Sequence, residues 1–112
     1  MPARLNFVEL PAMATAPMKT FYASAFGFAM TDFGPTYACT LSGDVDLGIQ
    51  ADRSDATRAP LPVIQVEDLE AALAAVTRAG GVISKATFSF PGGRRFHFTD
   101  PSGNELAAMQ AD

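Results

Sequence analysis

Apolar residues recur along this chain with two different periods, and the two alternate. Leu5 to Leu10 is a short apolar run with faces Leu5-Phe7-Glu9 and Asn6-Val8-Leu10, the two-residue period of a strand. Pro11 and Pro17 bracket a connection in which Thr15 is a plausible helix N-cap. Met18, Phe21, Tyr22, Ala25 and Phe26 then share one helical face, and Gly27 stands where a left-handed residue ends a helix. Strand character resumes over Phe28 to Phe33, Gly34-Pro35 turns the chain, and Thr36 to Gln50 supplies two strands around Ser42-Gly43-Asp44. The first half reads β-α-β-β-β.

Residues 52–60 are polar and aperiodic and read as a linker between a first module over 4–51 and a second over 61–110. The order then repeats. Leu61 to Val66 is a strand, and Asp68 caps a helix whose face is Leu69, Ala72, Leu73 and Val76. Gly80-Gly81 ends that helix, Val82 to Phe90 is strand, and Pro91-Gly92-Gly93 turns. A final hairpin runs from Arg94 to Gln110 through Asp100-Pro101-Ser102-Gly103-Asn104, where Pro fixes φ, Gly allows positive φ and the Asx side chains bond locally. The helix ends superpose at an offset of 54, Gly27 on Gly81, and the last turns at 60, Ser42-Gly43-Asp44 on Ser102-Gly103-Asn104. A longer hairpin over Phe90 to Arg95 accounts for the difference, and an internal duplication accounts for the whole.

Composition narrows the class. The chain has 112 residues, enough for a moderate core, and its 8 basic against 12 acidic residues leave a charge of −4. With no basic run, nucleic acid is not an expected partner. Cys39 is the sole cysteine, which excludes an intramolecular disulfide and fits a reducing, cytoplasmic location. The N-terminus lacks the pattern of a signal peptide, and no run approaches the roughly 20 apolar residues of a membrane span.

Two β-α-β-β-β modules, with Phe21-Tyr22 and Phe26-Gly27-Phe28 in the first, Val66-Glu67-Asp68-Leu69 and Gly80-Gly81 in the second, and the closing Asp100-Pro101-Ser102-Gly103-Asn104, resemble the vicinal oxygen chelate superfamily. That superfamily includes glyoxalase I, extradiol dioxygenases, fosfomycin-resistance enzymes and bleomycin-binding proteins. The resemblance spans about Leu5 to Gln110. It implies an α+β, glyoxalase-like fold in which tandem modules form curled mixed sheets around a cavity, within one domain over 1–112, and it implies a homodimer.

The resemblance also implies where a metal would sit: one ligand on each module's first strand and one on its last. Those positions fall on Phe7, Leu61, Ala107 and Leu47, or Gly48 if the register slips. None offers a lone pair, whereas such sites need imidazole or carboxylate, so no metal cofactor is expected. With Phe7, Leu61 and Ala107 facing inward, strand alternation sends Glu9, Val63, Gln65, Glu105 and Met109 inward too. Val8, Leu10, Ile64, Val66, Leu106 and Ala108 then face the helices. The inward set, apolar with a few polar groups, has the composition of a small-molecule site.

Three residues are candidate acids or bases. Glu9 and Glu105 could form a carboxylate pair, although solvation near a barrel mouth is the plainer expectation. His97, the single histidine, superposes on Tyr37 by the repeat and lies off the family's ligand positions. Cys39 is expected to fill core, as are Phe88, Phe90, Phe96 and Phe98, while Arg94 and Arg95 could grip an anion or simply edge a hairpin. Two functions follow. The first is metal-free binding or sequestration of a hydrophobic or weakly cationic small molecule, as in the bleomycin-binding branch. The second is a glyoxalase-like lyase, isomerase or dioxygenase using Glu9 or Glu105, with or without an assisting metal.

Overall fold

A computed structural model describes residues 3–112. They form eight strands and two helices in the expected order: β1 (Arg4–Pro11), α1 (Thr15–Phe26), β2 (Thr31–Asp32), β3 (Tyr37–Cys39), β4 (Asp46–Gln50), β5 (Leu61–Gln65), α2 (Leu69–Arg78), β6 (Val82–Phe90), β7 (Gly93–Thr99) and β8 (Glu105–Ala111). The class is α+β. Backbone contacts divide the chain into two compact units, 7–61 and 1–6 with 62–112. No helix among the described residues is long and apolar enough to cross a membrane.

The first unit orders its strands β2-β3-β4-β1. β1 and β4 run parallel, with Glu9 opposite Gly48, and β3 is antiparallel to β4, with Cys39 opposite Gly48. The second orders its strands β5-β8-β7-β6, with parallel β5 and β8 pairing Val63 with Ala107, and antiparallel β7 pairing His97 with Ala107. Each unit is thus a mixed sheet of the same plan, as a duplication requires.

The second module has the better-formed core. Asp68 caps α2 as expected, its Oδ1 accepting from the Ala71 amide at 3.0 Å. Leu69, Ala72, Leu73 and Val76 then lie on Ile64, Val66, Ile83, Phe96, Phe98 and Ala108. This is the helix-facing set that strand alternation gives, and each large side chain fully buried there contributes roughly 1.5–3 kcal/mol. Arg94 points to the same side and bonds Glu70 of α2 at 2.7 Å.

The first module departs from expectation at α1. Thr15 does not cap it: the N-cap is Ala14, which makes no side-chain bond, and Thr15 is the first helical residue. No residue of α1 is buried, and Phe21 and Phe26 are exposed. The strand expected over Phe28 to Phe33 shrinks to Thr31–Asp32, so little sheet lies beneath the helix to receive its aromatic face. The rings pack on each other instead, Tyr22 stacking on Phe26 and on Phe28 with centroids 6.3 and 6.2 Å apart. Gly27 does end the helix in the left-handed region, at φ 73°.

The closing hairpin forms as its residues dictate. Asp100 Oδ1 accepts from the amides of Ser102 and Asn104, Oδ2 accepts from the Asn104 side chain, and Gly103 takes φ 86°. These bonds hold the Asp100 carboxyl below its ordinary range, the Asn104 side chain contributing most. The earlier turn uses a different anchor. Asp46, beyond the turn, accepts from Thr40 and from the amides of Ser42 and Gly43.

Candidate functional site

The site can be assembled from the helix-free face of each sheet. In the first module Phe7 and Glu9 of β1, Gly48 of β4 and Tyr37 of β3 share that face. A Cβ on Gly48 would collide with the Phe7 ring and approach the Tyr37 hydroxyl. On this face β4 presents Gly48, the slipped-register alternative, while Leu47 pairs with Val8 and lines the helix side. The cause is a hairpin one residue shorter between Cys39 and Gly48 than between His97 and Ala107, so an offset taken from the turn glycines misplaces the strands. By the same register the counterpart of His97 is Cys39, and the counterpart of Arg95 is Tyr37.

Glu9 is only 2% exposed, so it is not a solvated mouth residue. Its Oε1 accepts the Tyr37 hydroxyl proton at 2.9 Å. Glu105 is held separately, in the second unit, by His97 and Ser84. Each carboxylate therefore has a hydrogen-bond partner within its own unit.

In the second module Val63 and Gln65 of β5 pair with Ala107 and Met109 of β8, which pair in turn with His97 and Arg95 of β7. Leu61 precedes them on the same face by alternation. Leu61, Val63, Ala107 and Met109 are buried, so this lining is packed, while Gln65 and Glu105 are half-buried. Asn6 donates to Gln65 Oε1 at 3.2 Å, tying the polar edge of this face. Two register shifts in β6 bring Lys85 opposite His97 and Phe88 opposite Arg95. The Phe88 ring lies beneath the Lys85 ammonium at 4.4 Å and the Arg95 guanidinium at 5.3 Å. Phe88 and Phe90 thus serve cations, while Phe96 and Phe98 are core.

His97 is the feature that sequence periodicity understates. Its side chain is 2% exposed, and Nδ1 lies 2.9 Å from Glu105 Oε2. A carboxylate only accepts, so Nδ1 carries the proton and Nε2 the lone pair. Nε2 is buried with no hydrogen-bond partner among the described residues. Burial is the main cause of a pKa below the usual histidine value; the Glu105 bond opposes it, and the charges of Arg95 and Lys85 add to it. The sequence signal was present in Glu105 lying on the strand paired with β7, but only the strand register joins them.

A cavity of about 450 Å³ opens on the helix side of the first module, lined by Val8, Phe28, Thr40, Leu41, Val45 and Leu47 among others. It lies where α1 fails to cover the sheet. Cys39 is buried as expected, and its thiol is pushed up by burial and then by Asp46.

Among the described residues no three of His, Cys, Asp and Glu gather as a metal-binding group. The residues at the positions expected for metal ligands, Phe7, Leu61, Ala107 and the alternatives Leu47 or Gly48, have side chains with no lone pair to give.

With the paired modules and these faces defined, comparison with known proteins is direct. Residues 4–108 match the model of the Glyoxalase/Bleomycin resistance protein/Dioxygenase superfamily, and the chain belongs to that superfamily. No curated protein matches it in sequence. Among solved structures it is similar to a superfamily member from Vibrio splendidus 12B01, with TM-score 0.71, 18% identity, and 97% of this chain and 99% of that one covered. Methylmalonyl-CoA epimerase from Mycobacterium tuberculosis gives TM-score 0.72 and 15% identity over 96% of this chain and 87% of that one. An NAD-dependent benzaldehyde dehydrogenase from Legionella pneumophila gives 0.76 and 16% over 99% and 100%. At these identities the likeness is one of fold.

Proposed function

We propose that this chain is a metal-free small-molecule-binding or sequestration protein of the glyoxalase and bleomycin-resistance type. What supports the reading is chemical: Phe7, Gly48, Leu61 and Ala107, at the positions where the resemblance leads to an expectation of metal ligands, have no donor side chain. The ligand-contacting residues are then Phe7 and Glu9 on the first module's helix-free face, and Leu61, Val63, Gln65, Glu105, Ala107 and Met109 on the second's. The protein acts as a cytoplasmic homodimer in this proposal, with no metal or nucleic-acid partner. The supporting features are the mainly apolar composition of those faces and a few fixed polar groups among them.

The test is metal analysis of protein purified without chelator, followed by a thermal-shift screen of small molecules. A ligand that binds only the folded state raises the melting temperature. Substoichiometric metal together with saturable stabilisation by an organic ligand is the expected result. Stoichiometric nickel, zinc, iron or manganese overturns it.

A second function is favoured by the hydrogen bond that joins His97 to Glu105: a lyase, isomerase or dioxygenase of the same superfamily that moves a proton through a hydrogen-bonded carboxylate, half-buried Glu105 or buried Glu9. Turnover lost in Glu105→Gln or Glu9→Gln with ligand affinity retained would establish it.

A further inference from the structure

Because the two modules share one plan, each position on one sheet has a counterpart on the other, and the pairs show where side-chain volume differs. Cys39 and His97 are counterparts, so Ala38 answers to Phe96 and Thr40 to Phe98. At the first of these the difference is made good across the ladder: Ala38 faces Ile49, whereas Phe96 faces Ala108. One rung further it is not. Phe98 pairs with Leu106, and Thr40, whose amide donates to the Leu47 carbonyl, again meets a leucine.

The offset of 54 that superposes Gly27 on Gly81 also relates Thr31, paired with Cys39, to Lys85, paired with His97. It sets Ala29 against Ile83. Ile83 and Phe98 both pack on the second module's core. With Ala29 and Thr40 in their places, the first module lacks a branched chain and a phenyl ring on its helix side. The cavity of about 450 Å³ lies there, with both residues in its wall. Tyr22, larger than its counterpart Val76, is taken up in stacking on Phe26 and Phe28.

We propose that this cavity is a binding site for a neutral, ring-sized apolar molecule, held where the side chains of Phe98 and Ile83 lie in the second module. The site is separate from the helix-free faces and does not depend on the function proposed above.

Size, lining and charge each select that class. Small-molecule sites measure roughly 300–1,000 Å³ and are mostly apolar. Phe28, Leu41 and Val45 stand in the wall and are exposed, so a ligand that covers them removes apolar area from water. Thr40 donates to Asp46 and accepts from the Leu47 amide, while Asp46 also accepts from the amides of Ser42 and Gly43. These bonds tie Thr40 and Asp46 to the turn, so water in the cavity is weakly held and an apolar group gains by displacing it. The Asp46 carboxylate opposes an anionic ligand. An apolar cavity left by a missing large side chain takes up a ring of matching size.

Toluene is the probe, and benzoate its anionic equivalent. In methyl-detected NMR of the full chain, toluene is expected to shift the Val8, Leu41, Val45 and Leu47 resonances saturably and to give nuclear Overhauser contacts to them. Benzoate at the same concentrations should leave them unmoved. Ala29→Ile restores the side chain of the second module's counterpart, and Val45→Phe fills the cavity from an exposed position. Each folded variant should bind toluene about tenfold or more weakly, because the added carbons occupy the ligand's place.

Absence of saturable shifts in the wild-type chain overturns the proposal without reliance on any variant. Benzoate shifting the same methyls as strongly as toluene overturns the neutral class. Toluene contacts confined to the methyls of Leu61 and Val63 also overturn it, and the function proposed above then stands. Methyl shifts that follow protein concentration rather than toluene assign the cavity to a second copy of the chain and reject a small-molecule site. Undiminished binding in both folded variants rejects it too. Saturable contacts at the cavity methyls together with stoichiometric metal keep this site and remove the function proposed above.

Discussion

The Tyr37 hydroxyl donates to Glu9 Oε1 at 2.9 Å, joining β3 to β1 across β4 beneath a carboxylate that is almost fully enclosed. The residue between them on the face is Gly48, and its missing side chain is what lets the Phe7 ring and the Tyr37 hydroxyl come so near. Hydrogen bonds to charged groups are worth roughly 1.5–3 kcal/mol, and removing one from a buried acceptor adds a desolvation cost. Tyr37→Phe is therefore expected to lower unfolding free energy by about 1–3 kcal/mol. Denaturant melts of the two proteins check this, and an unchanged midpoint would show that the bond is not formed.

Two glycines should differ in their tolerance of a methyl group. At Gly93 a Cβ meets the Gln110 carbonyl oxygen, backbone held by the β7–β8 ladder. At Gly48 it meets the far end of the Phe7 ring, which can swing. Both replacements overpack, at about 1–3 kcal/mol, with Gly93→Ala the more damaging because the ladder must shift. Thermal denaturation ranks them, and the reverse order would contradict the registers given above.

The two helix starts predict another asymmetry. Asp68→Ala removes a capping bond and should cost about 1 kcal/mol. Thr15→Ala should change stability by less than about 0.5 kcal/mol, since no side-chain cap exists at α1. Equal losses in urea titration would mean that Thr15 caps after all.

His97 makes stability depend on pH. Its folded pKa lies below its ordinary value of 6.5, so the unfolded chain binds the proton more readily. Its contribution is complete above that value and declines as pH falls through it toward the folded pKa. Wild-type protein should lose stability between neutral and mildly acidic pH, and folded His97→Gln should lose less. Denaturant midpoints across that interval decide, and parallel profiles would count against the shift.

Much of the fold could be read along the chain. The order of elements, the cap at Asp68, the left-handed Gly27, the Asp100 turn and the helix-facing set Ile64, Val66 and Ala108 all arise from local chemistry. Turns and caps depend on a few adjacent residues, and alternation on a strand is fixed by the backbone. The same locality made the apolar positions Phe7, Leu61 and Ala107 visible before any fold was known.

What the tertiary structure decided was everything that depends on how separate strands meet. One residue fewer in the first hairpin made Gly48 rather than Leu47 the counterpart of Ala107, and Cys39 rather than Tyr37 the counterpart of His97. Pairing β7 with β8 brought His97 to Glu105, and pairing β4 with both β3 and β1 brought Tyr37 to Glu9. A two-residue β2 left α1 uncovered, though its aromatic face has the spacing of a buried helix. Periodicity records which side of an element is apolar; whether another element arrives to cover that side is settled only by packing between distant parts of the chain.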